Sequence, residues 1–113
     1  MKVDGNNITM TRGDSETILI FCKDILETIV PFVTGDKIYF TVKVNMYQEI
    51  IILQKIITIF TDGKAIVVIS PIDTKDLEFR SYIYDVQITK ADGTVSTIIP
   101  PSKFIIGGEV TYE

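Results

Sequence analysis

Two segments of the chain alternate apolar and polar residues at every second position, and this period constrains the fold more than any other feature. In segment 81–90 the apolar phase holds Tyr82, Tyr84, Val86 and Ile88, and in segment 37–45 it holds Ile38, Phe40, Val42 and Val44. A period of two places the phases on opposite faces of a β-strand. Both segments are therefore predicted to be half-buried strands, with Tyr84 and Val86 in the core and Asp85 and Gln87 facing outwards.

The residue types agree with strands throughout the chain. Ile, Val and Thr make up 44 of the 113 residues, whereas Ala occurs twice and Leu four times. β-Branched side chains lose rotamer freedom in a helix and pack well on a pleated sheet. A chain of this length is enough for one domain and too short for two ordinary ones. We therefore expect a single all-β domain over residues 1–113.

Strand patterns recur at short intervals between Gly, Asp and Pro residues. Seven or eight strands are predicted, at 7–11, 16–23, 37–45, 50–60, 65–69, 81–90, 94–99, and 103–106 continued by 110–112 after a bulge at Gly107-Gly108. Segment 16–23 is apolar on both phases and is expected to be covered on both faces. Segment 24–36 is expected to cross between sheets, which favours a β-sandwich over a barrel.

Three connections carry specific turn or helix signals. Asp62-Gly63 and Asp92-Gly93 each stand between apolar runs, a pattern typical of β-hairpins because glycine accepts a positive φ. Ser70, Pro71 and Asp73 form a helix start, and the segment 70–77 is long enough for one or two turns only. Pro100-Pro101 is expected to end the seventh strand.

The residue counts exclude several classes of function. The chain has no His and no Trp, and Cys22 is its only cysteine, so sites that need histidine or a cage of thiolates are absent. Cys22 is expected to be a buried structural thiol. The net charge is −4 and the basic residues form no run, which disfavours nucleic-acid binding. We expect a protein that is not an enzyme, binds no metal or other cofactor, and has no targeting signal or membrane insertion.

The segment 50–60 is apolar on both strand phases, which a simple two-layer sandwich does not need. One phase holds Ile50, Ile52, Ile56 and Phe60, and the other holds Ile51, Leu53, Ile57 and Ile59. Either segment 24–36 or the short helix covers the second face, or that face contacts another protein. The predicted protein interface is Ile51, Leu53, Lys55, Ile57 and Ile59, with Lys55 at its rim in water.

The order of motifs also resembles a known family. The matching residues are Gly13-Asp14-Ser15, 35–43, Ser70-Pro71-Ile72-Asp73-Thr74 with Leu77, 82–88, Asp92-Gly93, Val95, Thr97-Ile98, Phe104 and Val110-Thr111. This order is similar to the immunoglobulin-like β-sandwich domains of bacteriophage and prophage tail structures, especially the N-terminal domains of phage baseplate upper proteins. The resemblance implies an antiparallel immunoglobulin-like sandwich with one short helical connector and no catalytic residues.

The resemblance further implies a docking or assembly module of a virion or tail-like particle, made in the bacterial cytoplasm. Its expected partners are other copies of itself, in a homo-oligomer, and phage tail proteins. A second hypothesis from the residues is a small carbohydrate- or ligand-binding sandwich, in which Tyr39, Tyr47 and Tyr112 would supply stacking faces.

Overall fold

The computed structural model describes residues 1–108, and these residues form an all-β fold. The elements in chain order are β1 (Lys2–Asp4), β2 (Asn7–Thr11), β3 (Glu16–Ile20), β4 (Cys22–Lys23), β5 (Ile29–Val30), β6 (Lys37–Lys43), β7 (Ile51–Ile57), β8 (Ala65–Ile69), α1 (Pro71–Thr74), β9 (Arg80–Thr89) and β10 (Val95–Gly107). The all-β prediction is confirmed. The strands outnumber the seven or eight expected, because β1, β4 and β5 are too short to show a period.

The strands form one large sheet and two small ones. The large sheet has the order β1-β2-β10-β9-β6-β7, and β3 pairs with β8 while β4 pairs with β5. All pairs are antiparallel except β2 with β10, which run in parallel. The expected purely antiparallel arrangement is therefore corrected at this pair, which brings together the two ends of the fold and needs no hairpin.

The core lies between the large sheet and the β3–β8 pair. The large sheet contributes the alternating residues of β6 and β9, and β8 contributes Ala65, Val67 and Ile69, all fully buried. Tyr84 and Val86 are buried in this layer, as predicted, and Asp85 and Gln87 lie on the opposite face. Val86 is opposite Phe40 of β6, so the two alternating strands share one inner face.

The β3–β8 pair is covered on its inner face only. Ile20 is buried, but Leu19 is half-exposed and faces Ile66 of β8 across the pair. The expectation that segment 16–23 is covered on both faces is therefore wrong, because within residues 1–108 no further layer lies outside these two strands. Segment 24–36, expected to be an irregular crossing, contains β5 and turns back onto β4.

Both Asp-Gly dipeptides form turns, but only one of these turns joins two strands that pair with each other. The turn at Asp92-Gly93 joins β9 to β10 in an antiparallel pair, as predicted. The turn at Asp62-Gly63 is closed by reciprocal backbone hydrogen bonds of 3.0 Å between Thr61 and Lys64. The strands on its two sides do not pair, however, since β7 joins the large sheet and β8 joins β3. The Asp62-Gly63 turn therefore carries the chain from the large sheet to the β3–β8 pair.

The C-terminal strand also differs from its expectation. Pro100-Pro101 does not end a strand, and β10 continues from Val95 to Gly107 with register shifts between Thr97 and Ile99 and between Ile99 and Ser102. The bulges take up the residues that cannot donate a ladder hydrogen bond. The predicted continuation at 110–112 lies outside the described residues.

Candidate interface along the edge strand β7

The predicted interface residues lie on or beside β7, which is one edge of the large sheet. β7 pairs with β6 alone among the described strands, so one side of its backbone is unpaired. Its sequence, Ile-Ile-Leu-Gln-Lys-Ile-Ile, places apolar side chains on both faces of this edge. An unpaired apolar edge is a common site of strand pairing between proteins.

The register with β6 shows which β7 residues face the core. Directly opposite residues of an antiparallel pair point to the same face. Leu53 faces Val42, and Ile57 faces Ile38, and both β6 residues are fully buried. Leu53 and Ile57 accordingly pack against the core rather than forming an exposed surface.

A register shift in β7 moves Ile51 to the outer face. The shift lies between the pairs Val42–Leu53 and Lys43–Ile51, so Ile52 is an extra residue. Ile51 lies opposite Lys43, whose β6 phase faces outwards, and it is 47% exposed. The predicted phase of Ile51, Leu53, Lys55 and Ile57 is therefore not one surface, because a β-bulge reverses the orientation of its first residue.

Lys55 lies on the inner phase and not at a rim in water. Its Nζ is 2.9 Å from Oδ2 of Asp73 in α1. The same carboxylate oxygen accepts a 2.7 Å hydrogen bond from the backbone N–H of Ser70, the residue that precedes α1. Pro71 begins this helix and Asp73 closes its first turn, as the sequence predicts.

The environment of Asp73 favours its charged form. Burial alone would raise the pKa of Asp73, but the hydrogen bonds from Lys55 and Ser70 and the positive charge of Lys55 together lower it. The side chains of Lys55 and Asp73 are 27% and 15% exposed, so water screens the pair only in part. The short helix is thereby fixed over the inner face of β7.

Segment 24–36 covers the end of the same face. The rings of Phe32 and Phe60 lie 5.4 Å apart, and Phe32 is buried while Phe60 packs against the core. Of the two covers proposed from the sequence, α1 therefore covers the middle of the inner face and the 24–36 segment covers its end. Ile59, the last predicted interface residue, remains 86% exposed.

Six apolar residues on or beside β7 are exposed, and the predicted list contains only two of them, Ile51 and Ile59. We call this group the β7 surface, and its members are Met46, Tyr47, Ile50, Ile51, Ile56 and Ile59. Tyr47 is 90% exposed and belongs to a turn in which Oδ1 of Asn45 accepts the backbone N–H groups of Tyr47 and Gln48. Sequence reasoning missed Ile56 because both phases of the segment are apolar.

Polar side chains lie beside the β7 surface on the outer face of the sheet. They surround an open cavity of about 310 Å³ and include Thr41, Lys43, Gln54, Asp85 and Gln87. Gln54 donates a 3.1 Å hydrogen bond from Nε2 to Oγ1 of Thr41. Burial raises the pKa of Asp85, and the positive charge of Lys43 partly offsets it. Within residues 1–108, the Asp85 carboxylate has no hydrogen-bond donor.

The three tyrosines of the ligand-binding hypothesis are not brought together. Tyr39 is half-buried near the start of β6, and Tyr47 lies in the turn that follows the other end of that strand. Tyr112 lies outside the described residues. Cys22 is half-buried, and the pKa of its thiol is raised by burial and lowered to a lesser extent by Lys90.

Comparison with protein-family models, with curated proteins and with solved structures finds no match for this chain. Within residues 1–108, no helix is both long and apolar enough to cross a membrane. The same residues contain no cluster of three or more acidic, cysteine or histidine side chains that could hold a metal ion.

Proposed function

We propose that this chain is a non-enzymatic assembly module of a phage or prophage tail particle, acting through protein–protein contacts on an immunoglobulin-like sandwich. The observation that carries the proposal is the β7 surface. Exposed apolar side chains there lie on or beside an edge strand, and unpaired strand edges are common sites of contact between proteins.

The strand order supports the immunoglobulin-like fold. In that sandwich, strands B and E share one sheet, strands C, F and G share the other, and variable-type domains add C′ to the second sheet. Here β3 and β8 pair as B and E would, and β6, β9 and β10 are neighbours as C, F and G would be. β7 occupies the place of C′ beside β6.

A tyrosine contact at the start of β9 supports the same fold. Immunoglobulin-like domains carry a tyrosine near the start of strand F whose hydroxyl bonds to the backbone a few residues upstream. Tyr82 is the third residue of β9, and its hydroxyl donates a 3.0 Å hydrogen bond to the carbonyl oxygen of Glu78. The contact fixes the corner where the connection from α1 enters the sheet.

If β6 and β9 correspond to strands C and F, an aromatic cluster takes the positions of the disulfide and tryptophan of antibody domains. In those domains the second cysteine follows the corner tyrosine by two residues, and a tryptophan on strand C packs against the disulfide. The corresponding residues here are Tyr84 and Phe40, whose ring centroids lie 5.1 Å apart. Phe104 of β10 packs at 6.0 Å from Phe40 and 6.2 Å from Tyr84. Aromatic packing thus replaces the covalent link in the core.

The proposed tail-particle role rests on the sequence resemblance, and several of the resembling residues lie in a turn and in the buried phase of a strand. Asp92-Gly93 forms the β9–β10 turn, and Tyr82, Tyr84 and Val86 form the buried phase of β9. Tail proteins and further copies of the chain are the proposed partners. A tagged chain expressed in a lysogen should co-sediment with tail-like particles after prophage induction. Its absence from every particle fraction would refute this role.

The contact surface is tested separately by charge substitution. Ile56→Lys should weaken assembly because it places a charge in the β7 surface, whereas Thr97→Lys, on an exposed position of β10, should not. Light scattering measures the oligomer, and circular dichroism confirms that both variants fold. Equal behaviour of the two folded variants would contradict the assignment of this surface.

One observation favours the alternative of a carbohydrate- or ligand-binding sandwich. Asp85 and Gln87 face the 310 Å³ cavity together with Lys43, and carboxylate and amide groups suit the hydroxyls of a sugar. Binding on a glycan array that disappears in Asp85→Ala and persists in Asp92→Ala would support it. An array with no binding at millimolar sugar would exclude this alternative.

A further inference from the structure

The hairpin of β4 and β5 carries two apolar side chains at its tip. Ile25 is 98% exposed, the highest value among the large apolar side chains of residues 1–108, and its neighbour Leu26 is 80% exposed. Turns usually hold Gly, Asn, Asp or Pro at such positions, as the Asp62-Gly63 and Asp92-Gly93 turns do here. Two adjacent aliphatic side chains thus project into water from the end of a hairpin.

Hydrogen bonds hold this tip in one conformation. The backbone N–H of Asp24 donates to the carbonyl oxygen of Thr28 at 2.9 Å, and that of Glu27 donates to the carbonyl oxygen of Asp24 at 3.0 Å. Oδ1 of Asp24 accepts the backbone N–H groups of Leu26 at 2.8 Å and of Thr28 at 3.0 Å. An element that is already ordered loses little conformational entropy when it binds. The tip is therefore preorganised for contact.

An open apolar cavity of about 490 Å³ lies beside β1, β3 and β10 and reaches the core. Its floor includes the buried residues Ile20 and Phe40, and its rim includes Val3, Leu19 and Phe21, which are exposed. A small molecule held at the floor would leave the apolar rim in water. The cavity and its rim together therefore suit a protruding apolar element of a protein better than a small molecule.

We propose that two copies of the chain form a reciprocal dimer, in which Ile25 and Leu26 of each copy enter this cavity of the other. An apolar cavity of about 150 Å³ holds one benzene molecule, so a cavity of about 490 Å³ has room for both side chains. The inference goes beyond the proposed function, because this contact shares no residue with the β7 surface.

The tip and the rim lie close together on one copy, which makes the exchange reciprocal. Phe21 at the rim and Ile25 at the tip are four residues apart, so their Cα atoms lie within about 14 Å of each other. Ile25 of a single copy lies in water and does not fill its own cavity. Two copies that face each other bring each tip to the other's cavity, and the contact closes with two-fold symmetry. A second copy is the occupant because one chain carries both halves of the contact.

The charges beside the tip and the rim are complementary. The Nζ atoms of Lys23 and Lys64 each lie 5.7 Å from the centroid of the Phe21 ring at the rim. The tip carries the carboxylates of Asp24 and Glu27, and the side chain of Glu27 is 81% exposed although it lies 3.6 Å from Lys23. The dimer brings the acidic tip of one copy to the basic rim of the other, and such complementarity orients an encounter.

Two complementary variants test the exchange. The tip variant, Ile25→Ser with Leu26→Ser, keeps the cavity, and the rim variant, Val3→Glu with Leu19→Glu, keeps the tip. Each should raise the dimer dissociation constant at least about tenfold, because the burial of apolar side chains is lost. An equimolar mixture should dimerise more tightly than either variant alone, because one insertion is still possible. The control is Ile72→Ser, which removes an apolar side chain of α1 that is also 80% exposed.

Sedimentation equilibrium measures the dissociation constants, and circular dichroism checks that the variants fold. If the rim variant does not fold, Leu19→Glu alone takes its place. A mixture that dimerises no more tightly than the separate folded variants would overturn the exchange of tips. Equal losses in the tip variant and in Ile72→Ser would overturn it too.

The outcomes separate this inference from the proposed function. A wild-type chain that is monomeric across the micromolar range yet co-sediments with tail-like particles would overturn the dimer and leave the assembly role in place. If the rim variant of such a monomer no longer co-sediments, the cavity holds an element of a tail protein and not a second copy. A wild-type dimer that is absent from every particle fraction would leave the exchange in place and refute the tail-particle role.

Discussion

The contact between Asp73 and β7 gives the most direct test of how the short helix is held. The carboxylate accepts the backbone N–H of Ser70 at 2.7 Å and pairs with Lys55 at 2.9 Å. Asp73→Ala removes both contacts. Loss of a helix-capping group costs about 0.5–2 kcal/mol, and partly buried pairs add about 1 kcal/mol. We therefore expect a loss of about 2 kcal/mol in the free energy of unfolding.

Urea unfolding measures this loss and divides it into its two parts. A loss of about 2 kcal/mol lowers the urea midpoint by about 1 M for a domain of this size. Asp73→Asn keeps an acceptor for Ser70 and should lose less, and Lys55→Met keeps the aliphatic stem while removing the charge. A double-mutant cycle of Asp73→Ala and Lys55→Met should then give a coupling of about 0.5–1.5 kcal/mol.

The matched control is Asp76→Ala, on an exposed residue that follows the same helix. It should change the unfolding free energy by less than about 0.5 kcal/mol, as surface substitutions usually do. If Asp73→Ala and Asp76→Ala shift the urea midpoint equally, the carboxylate does not anchor α1. A coupling of zero in the cycle would show instead that only the cap contributes.

The contribution of Asp73 to the free energy of unfolding should decrease as the pH falls. The pKa of Asp73 is lower in the folded chain than its ordinary value, so the folded state binds fewer protons at this site than the unfolded state. Its contribution is fully present above the unfolded pKa, about 3.9, and is lost as the pH falls through the folded pKa. The stability difference between the wild type and Asp73→Asn should therefore be largest near neutral pH and shrink in acid.

Three further substitutions test the core, a turn and the strand corner. Val86→Ala should cost about 1–3 kcal/mol in urea melts because the side chain is fully buried, whereas Gln87→Ala on the outer face should cost little. Gly63→Ala should destabilise more than Gly93→Ala: both have a positive φ, but only at Gly63 would the Cβ approach a proline side chain, at 2.5 Å. Tyr82→Phe should lower the melting temperature, since it removes a hydrogen bond worth about 1 kcal/mol.

Sequence reasoning located the strands well where only one phase is apolar. β6 and β9 have buried residues at every second position, and their inner faces follow from the period alone. The start of α1 was also predictable, because Ser70, Pro71 and Asp73 act through bonds within a single turn. These features share a local cause, so they need no knowledge of the remaining chain.

Pairing between layers was not predictable in the same way. The Asp62-Gly63 dipeptide determines a tight turn, but the turn does not determine which sheet each flanking strand joins. The parallel contact of β2 with β10 connects residues that lie far apart in the chain and has no local signal. Pro100-Pro101 removes two hydrogen-bond donors, yet register shifts let β10 continue past it.

The candidate interface shows the same division between local and distant causes. Both phases of β7 are apolar, so the period could not say which phase faces the core. The charge of Lys55 suggested that this residue lies in water at the rim of the interface. Its long aliphatic stem instead lets the ammonium group reach an acidic partner from the inner phase, and that partner is Asp73. The ammonium group is thereby paired inside the fold instead of lying in water at the rim of a contact surface. The same pair holds α1 over the inner face of β7, so one residue that the sequence assigned to an interface stabilises the fold instead.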